Sequence, residues 1–529
     1  MFHLSHPPAK LLSDVSESTP MCANRSSDSD LLLINPHGRD ALYQELGREL
    51  TAVEPPLWCR LIGGYVRDRG YVVEIIDAEA EEWGPRTIGL RALERRPRLI
   101  AVIVSGHQPS ASTQQMAAAS PTIRAIKDQN PDQPIIVIGG HVAALPERTI
   151  REEPVDFACN GEGPVTVHQL LNVLQVGAPC NFADVPGLVW RDRDAIRNNV
   201  SAPLINDLDH DLHGQVWDLL PMEKYRAHNW QCFGELDTRQ PYASIHTSLG
   251  CPYRCTFCCI NAPFGTNRYR MRSAKSVAAE IDSLYGTYGV KTYKIIDEMF
   301  VLNERHVAAV CDELISRNYD LNIWAYARID TVRSHLLRKM RQAGIRWLAL
   351  GIESGSAHVR DGADKSFGQS EIIDIVSEIR RADINVIANF IFGLPDDDDE
   401  TMRQTLDLAM ELNCEFANFY SAMAYPGSQL YAMALERGWE LPLTWSGFSQ
   451  HSYDCLPLRT EKLSAAQVLR FRDNAFDRYF TNRRYLDLVT KRFGRETRSH
   501  IERMTRHKLR RKIVDDLGVS ETLACVRRA

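Results

Sequence analysis

Short apolar runs alternate with amphipathic stretches over the first third of the chain. Leu31 to Ile34, Val72 to Ile76, Leu99 to Val104, Pro134 to Ile138 and Val155 to Ala158 read as strands. Leu57 to Arg69 and Thr113 to Asp128 between them carry helical periodicity. Strands that are apolar throughout and alternate with helices predict a parallel sheet covered on both faces, a doubly wound α/β domain. Several of these strands run into small or polar residues: Asn35-Pro36-His37-Gly38, Ser105-Gly106-His107, Gly139-Gly140-His141 and Gly161-Glu162-Gly163. In such sheets the ligand crevice lies outside the carboxyl ends of the strands. Glycine there lets backbone approach a large ligand, although a tight turn would ask for the same residue.

From Tyr242 the alternation resumes with a longer beat. Six strands are predicted, Ala243 to Thr247, Thr292 to Ile296, Asn322 to Ala327, Trp347 to Gly351, Asn385 to Phe392 and Glu415 to Ser421, with helical patterns between them. Six β/α units in series predict a partial barrel, two short of a closed one, with its chemistry at the carboxyl ends of the strands. The expected organisation is therefore a tail over 1–30, a doubly wound domain over 31–170, a linker over 171–235, the partial barrel over 236–455 and a helical region over 456–529. That last region interleaves Lys and Arg with aromatics such as Phe471, Tyr479 and Phe493. It reads as an amphipathic cap with its rings inward and its cations solvated, in preference to a nucleic-acid surface.

Composition changes this picture little. The chain has 529 residues, 44% of them hydrophobic and 25% charged, with a net charge of −6, so no general polyanion-binding role is expected. No apolar run approaches the roughly 18–20 residues of a membrane span, and residues 1–30 lack a signal-peptide pattern. A cytoplasmic protein is expected. Thirteen cysteines, an odd number in a chain large enough to build its own cores, argue against a disulfide framework. Nine of them are scattered and read as small buried hydrophobes.

The other four fall between Cys251 and Cys259, just after the first barrel strand. Cys251, Cys255 and Cys258 have CxxxCxxC spacing, and three thiolates from one short loop can hold three irons of a [4Fe-4S] cluster. No second pair is present to close a zinc site. The fourth iron would be left open to a small molecule, and Cys259 reads as packing.

In its frame Ser248-Leu249-Gly250-Cys251-Pro252-Tyr253-Arg254-Cys255-Thr256-Phe257-Cys258, this loop resembles the radical S-adenosylmethionine (SAM) enzymes. The resemblance continues along the strand ends. It implies methionine-side contacts at Asp297 and Glu298, an arginine near the SAM carboxylate at Arg328, ribose contacts at Glu353 and Ser354, and a further contact at Tyr425. Asp396 to Asp399 precede a helix and read as caps, without a catalytic role. A second resemblance lies upstream. Gly70-Tyr71-Val72-Val73-Glu74-Ile75-Ile76-Asp77-Ala78, Gly139-Gly140-His141 with Ala144-Leu145-Pro146-Glu147, and Asn160-Gly161-Glu162-Gly163 are similar to the cobalamin-binding domain of cobalamin-dependent radical SAM proteins. This implies cobalamin contacts at Ser105, Gly106, Gly139, Gly140, His141, Gly161, Glu162 and Gly163. The DxHxxG signature that supplies a lower-face histidine elsewhere is absent, and His37 and His107 read as loop hydrogen-bonders.

Together the two resemblances imply a cobalamin-dependent radical SAM methyltransferase that moves a methyl group from methylcobalamin to an unactivated carbon of a small metabolite by way of a 5′-deoxyadenosyl radical. The alternatives are a non-methylating cyclase or oxidative enzyme of the same branch, and a transfer-RNA methylthiotransferase. The implied partners are a small-molecule substrate and a reductant such as flavodoxin or ferredoxin. The basic C-terminal region suggests an anionic group on that substrate.

Overall fold

The computed structural model describes residues 28–106, 112–175 and 181–516. His107, Cys22, Cys180 and Cys525 lie outside them.

The N-terminal domain is built on seven strands: β1 (Ser29–Asn35), β2 (Val73–Asp77), β3 (Pro97–Val104), β4 (Ile135–Gly139), β5 (Phe157–Cys159), β6 (Leu188–Asp192) and β7 (Ala195–Asn198). They lie in the order β2-β1-β3-β4-β5-β6-β7. The first five are parallel, as the apolar runs require, because helices cover both faces and Leu31 to Ile34 and Leu99 to Val104 are buried throughout. One apolar layer holds Leu31, Leu33, Ala101 and Ile138; the other holds Leu32, Ile34, Val102 and Val137.

The last two strands differ from the sequence reading. Residues 188–198, expected in a linker, form an antiparallel hairpin on the edge of this sheet. Its outer strand, Ala195-Ile196-Arg197-Asn198, is mostly exposed and carries a charge, so it offered no apolar run to read. A charged, short outer strand also blunts the sheet edge against further pairing.

The second domain has six parallel strands in the order β15-β14-β13-β12-β11-β8. These are β8 (Tyr242–Ile245), β11 (Thr292–Ile295), β12 (Asn322–Arg328), β13 (Ile345–Glu353), β14 (Asn385–Phe392) and β15 (Phe416–Ser421). Two further strands, β9 (Ser248–Leu249) and β10 (Arg270–Met271), pair as a small antiparallel ribbon. Each parallel strand is followed by a helix, giving the expected open barrel of six units. The predicted strand 243–247 is cut short for a visible reason. Thr247 turns its N–H to the Asp297 carboxylate at 2.6 Å, and its carbonyl accepts from the Arg272 N–H at 2.8 Å, so both leave the ladder. β13 runs two residues further than expected, across an irregularity between Gly351 and Glu353.

The helices Ala465–Phe480 and Arg483–Met504 close the far side of the barrel, with Tyr479, Phe480 and Tyr485 buried against it. Several cations of this C-terminal region are paired with acidic neighbours, among them Arg492 with Asp383, and, beyond the second helix, Lys508 with Asp477 and Arg511 with Asp473. Among the described residues no helix is long and apolar enough to cross a membrane.

Candidate active site

The cysteine loop leaves β9 through Gly250, which has φ +87°. A side chain there would place its Cβ 2.0 Å from the Arg268 carbonyl oxygen, so the turn admits glycine alone. Asn261 then holds Cys251 at both ends. Its amide oxygen accepts from the Cys251 N–H at 3.3 Å, and its amide nitrogen donates to the Cys251 carbonyl at 2.9 Å. Asn267 donates to the Tyr253 carbonyl, and the Cys258 N–H donates to the Cys255 carbonyl.

Cys251, Cys255 and Cys258 are half-buried on this loop, while Cys259 is buried. Burial pushes the Cys251 thiol up to about 11 and raises Cys255 and Cys258 as well. Beside burial, Cys255 raises the cost of ionising Cys251, and both raise that of Cys258, so the three sulfurs are near neighbours. Like charges held that close call for a cation, and soft thiolates favour iron–sulfur chemistry. Among the described residues no three His, Cys, Asp or Glu side chains form a single-ion site; a four-iron cluster asks instead for one thiolate on each of three irons. The donor set fits such a cluster.

The barrel residues expected at the strand ends divide into two groups. Arg328 stands beside the loop, with Nη1 3.4 Å from the Cys255 sulfur and its guanidinium 3.9 Å from the Tyr253 ring centroid. Glu353 is buried and ion-paired with Lys365. Glu298 accepts from the Gly250 N–H at 3.0 Å, and burial pushes its carboxyl up to about 7. These three face the cluster loop. Asp297 and Ser354 are turned into the scaffold. Asp297 accepts from Thr247 Oγ1 and Ser248 Oγ, both at 2.6 Å, and so fixes the start of the cluster loop. Ser354 Oγ meets Thr405 and the Ser356 N–H. Tyr425 packs toward Phe448, with ring centroids 6.4 Å apart. The acidic run behaves as a cap: Asp398 accepts from the Glu400 and Thr401 N–H groups, and Asp397 from those of Gly393 and Leu394.

In the N-terminal domain the glycines serve two ends. Gly139 (φ +150°) and Gly163 (φ +108°) are needed for backbone reasons, since a Cβ would meet the Val104 carbonyl at 2.0 Å and Ile138 at 2.8 Å. Gly140 and Gly161 instead face Pro263, from the segment that follows the cysteines, with a Cβ 3.8 Å from it in each case. His141 is buried, its Nδ1 lies 3.2 Å from Thr113 Oγ1, and its ring packs edge-on to Trp445. Burial lowers its pKa to about 3, so it is neutral. Glu162 is ion-paired with Arg270 at 2.5 Å and accepts from the Ile205 N–H.

Ser105 and Gly106 line a cleft between the two domains. Asn35, Glu79 and Trp58 join them from the N-terminal side, and Leu249, Ile296 and Glu298 from the barrel. Both sets of strand ends thus open on one cleft.

The sequence reading missed Asn261, Lys365 and Arg270. Asn261 lies three residues past Cys258, where its amide could have been weighed as a loop clamp. Nothing in the local pattern marks Lys365 or Arg270, because their partners are distant in sequence.

The profile of the Radical SAM superfamily matches residues 245–409, and that of the B12 binding domain matches residues 45–171. An uncharacterized methyltransferase of Pyrococcus horikoshii is 27% identical over 420 residues, covering 79% of this chain and 86% of that protein. The anaerobic magnesium-protoporphyrin IX monomethyl ester cyclase of Cereibacter sphaeroides is 26% identical, covering 74% of this chain and 62% of its own. The radical S-adenosylmethionine methyltransferase TsrM from Kitasatospora setae, solved with cobalamin and a [4Fe-4S] cluster bound, shares the fold. Its TM-score is 0.63 at 18% identity, over 86% of this chain and 89% of that one.

A B12 binding domain followed by a radical SAM barrel, with three thiols on the loop that follows the first barrel strand, defines a radical SAM enzyme. The chain carries both of these domains, the pairing found in cobalamin-dependent radical SAM enzymes, and the cofactors of that pairing are a [4Fe-4S] cluster, SAM and cobalamin.

Proposed function

We propose that the enzyme transfers a methyl group to an unactivated carbon of a small molecule held in the cleft between its two domains. The observation that carries this reading is the contact of the two cofactor-bearing loops: Pro263, five residues after Cys258, sits over Gly140 and Gly161. When bound, the cluster and SAM would supply a carbon radical, and cobalamin a transferable methyl group.

The chain's own residues have other tasks. Cys251, Cys255 and Cys258 would hold the cluster. Arg328 and Glu353, which face that loop, are the side chains best placed to orient SAM. Glu298 stands between the loop and the cleft, and its raised pKa lets it hold or release a proton near neutrality. Ser105 and Gly106, which line the cleft, leave backbone open for a corrinoid, while Gly140 and Gly161 give room for Pro263. His141 has Nδ1 on Thr113 and its ring edge-on to Trp445, an arrangement that supports a packing role over a cobalt ligand. Enclosure of the cleft between the domains keeps water from reactive intermediates.

The test is anaerobic reconstitution with iron, sulfide and cobalamin, followed by SAM and a low-potential reductant. Mass spectrometry of the nucleosides should show both S-adenosylhomocysteine and 5′-deoxyadenosine. 5′-Deoxyadenosine without the homocysteine product would contradict methyl transfer and favour the cyclase-like chemistry named for the Cereibacter relative.

A further inference from the structure

Two cations bear on one corner of the cysteine trio. Arg328, the last residue of β12, points Nη1 at the Cys255 sulfur from 3.4 Å. Its Nε and Nη2 donate to the two Asp330 oxygens at 2.9 and 3.1 Å, and the plane lies against Tyr253. Only 6% exposed, the guanidinium is held on three sides. Lys365, equally buried, packs its ammonium 5.8 Å from the Phe257 ring centroid and pairs with Glu353. Arg328 therefore stands on Cys255 itself, and the Lys365–Glu353 pair stands beside Phe257, which lies between Cys255 and Cys258 in the loop.

The backbone is shaped to admit this arrangement. A Cβ on Gly351 would lie 2.6 Å from Glu353 Oε1 and 2.7 Å from Lys365 Nζ. Glu353 itself sits at φ +68°, a conformation unfavourable for a non-glycine residue. A side chain at residue 351 would push the ends of both charged groups aside, and the strained backbone at Glu353 indicates a position that the surrounding fold enforces.

We propose that Arg328 and Lys365 are positioning residues that set the reduction potential of the cluster through its Cys255 ligand. This rests on the cluster reading above. The reduced cluster carries one more negative charge than the oxidised one. A hydrogen-bond donor on a thiolate sulfur and buried cations beside it stabilise that charge and raise the potential. Burial strengthens the effect because water screens the charges poorly there. Glu353 works in the opposite sense, so the Glu353–Lys365 pair acts as a trim on the same corner. The electron comes from an external low-potential donor, and no bond is made or broken in the protein.

The test uses the full chain, reconstituted with iron and sulfide, without SAM. Dithionite titration followed by electron paramagnetic resonance (EPR) gives the midpoint of the parent and of R328Q, R328K, K365Q, K365R and E353Q. Iron content is measured for each. R328Q and K365Q are expected to lower the reduced-to-oxidised ratio at a fixed poise about tenfold, which is about 59 mV for one electron. R328K should fall between parent and R328Q, K365R should restore the parent midpoint, and E353Q should raise it. Unchanged midpoints at full iron content would overturn the proposal. So would folded R328Q or K365Q protein that cannot retain iron, since those residues would then hold the loop and not tune it. A parent with no cluster signal would instead overturn the cluster reading itself.

Discussion

Asp77 shows how a single residue ties the cofactor-side loops to the rest of the chain. It ends β2 and is buried, accepting from Asn35 Nδ2 and Tyr225 Oη, both at 2.7 Å, and from the Ala80 N–H. Tyr225 comes from the segment between the domains, so one carboxylate links two strand ends of the cleft to that segment. Burial outweighs these donors and pushes its pKa up to about 6. The folded state therefore binds the proton more tightly than the unfolded chain. This contribution to stability is fully present below about pH 4 and is lost as pH rises through about 6. The stability of D77N relative to parent should accordingly become more favourable between pH 4.5 and 7.5, by on the order of 2–3 kcal/mol. Chemical denaturation across that range measures it, and a flat difference would contradict the account.

At the scale of elements, the sheet cores were legible and the turns that aim the site were only partly so. Fully apolar runs such as Leu99 to Val104 specify central parallel strands because both faces are covered. The CxxxCxxC loop was legible because three soft ligands at that spacing have few other uses. The hairpin Leu188–Asn198 was not, since an exposed edge strand needs no apolar pattern. Nor was the division among strand-end residues. Whether Asp297 or Glu298 turns toward the cysteine loop depends on Thr247 and Ser248, some fifty residues upstream. Gly250 is where element and site meet. The G250A variant must move either its own backbone or the Arg268 carbonyl, which lies 2.0 Å from the new Cβ. It should fold, with a melting temperature close to parent, yet retain less than half the parent's iron after reconstitution and desalting. Parent-level iron in G250A would show that this turn does not set the cysteines.

The whole molecule is locked by buried ion pairs that cross between its two sheets. Arg60, from the helix Leu57–Arg67 of the N-terminal domain, is fully buried. It donates to the Ser244 carbonyl of β8 at 2.6 Å and to Glu280 at 3.3 Å, and its guanidinium lies 3.8 Å from the Trp217 ring centroid. Glu280 also pairs with Arg272. Glu54 pairs with Lys294 of β11 at 2.9 Å, and Glu162 with Arg270 of β10. Arg272–Glu280 lies within the barrel, but Arg60–Glu280, Glu54–Lys294 and Glu162–Arg270 each take one partner from either side of the cleft, so the distance between the two cofactor regions is fixed by groups that cannot be pulled apart without stranding a buried charge. E280Q leaves Arg60 and Arg272 without their shared carboxylate, and breaking one side of a buried pair costs about 3–5 kcal/mol. Calorimetry should show the variant melting at lower temperature. If it melted like the parent, the pairs would not be what joins the domains.

The central claim is that Cys251, Cys255 and Cys258 hold three irons of a cluster whose fourth iron takes SAM. EPR of the anaerobically reduced protein, recorded before and after SAM is added, tests it most directly. The account predicts a reduced four-iron signal that changes shape on adding SAM and is lost when the three cysteines are replaced by alanine. A signal indifferent to SAM, or one that survives in the triple alanine variant, would contradict it.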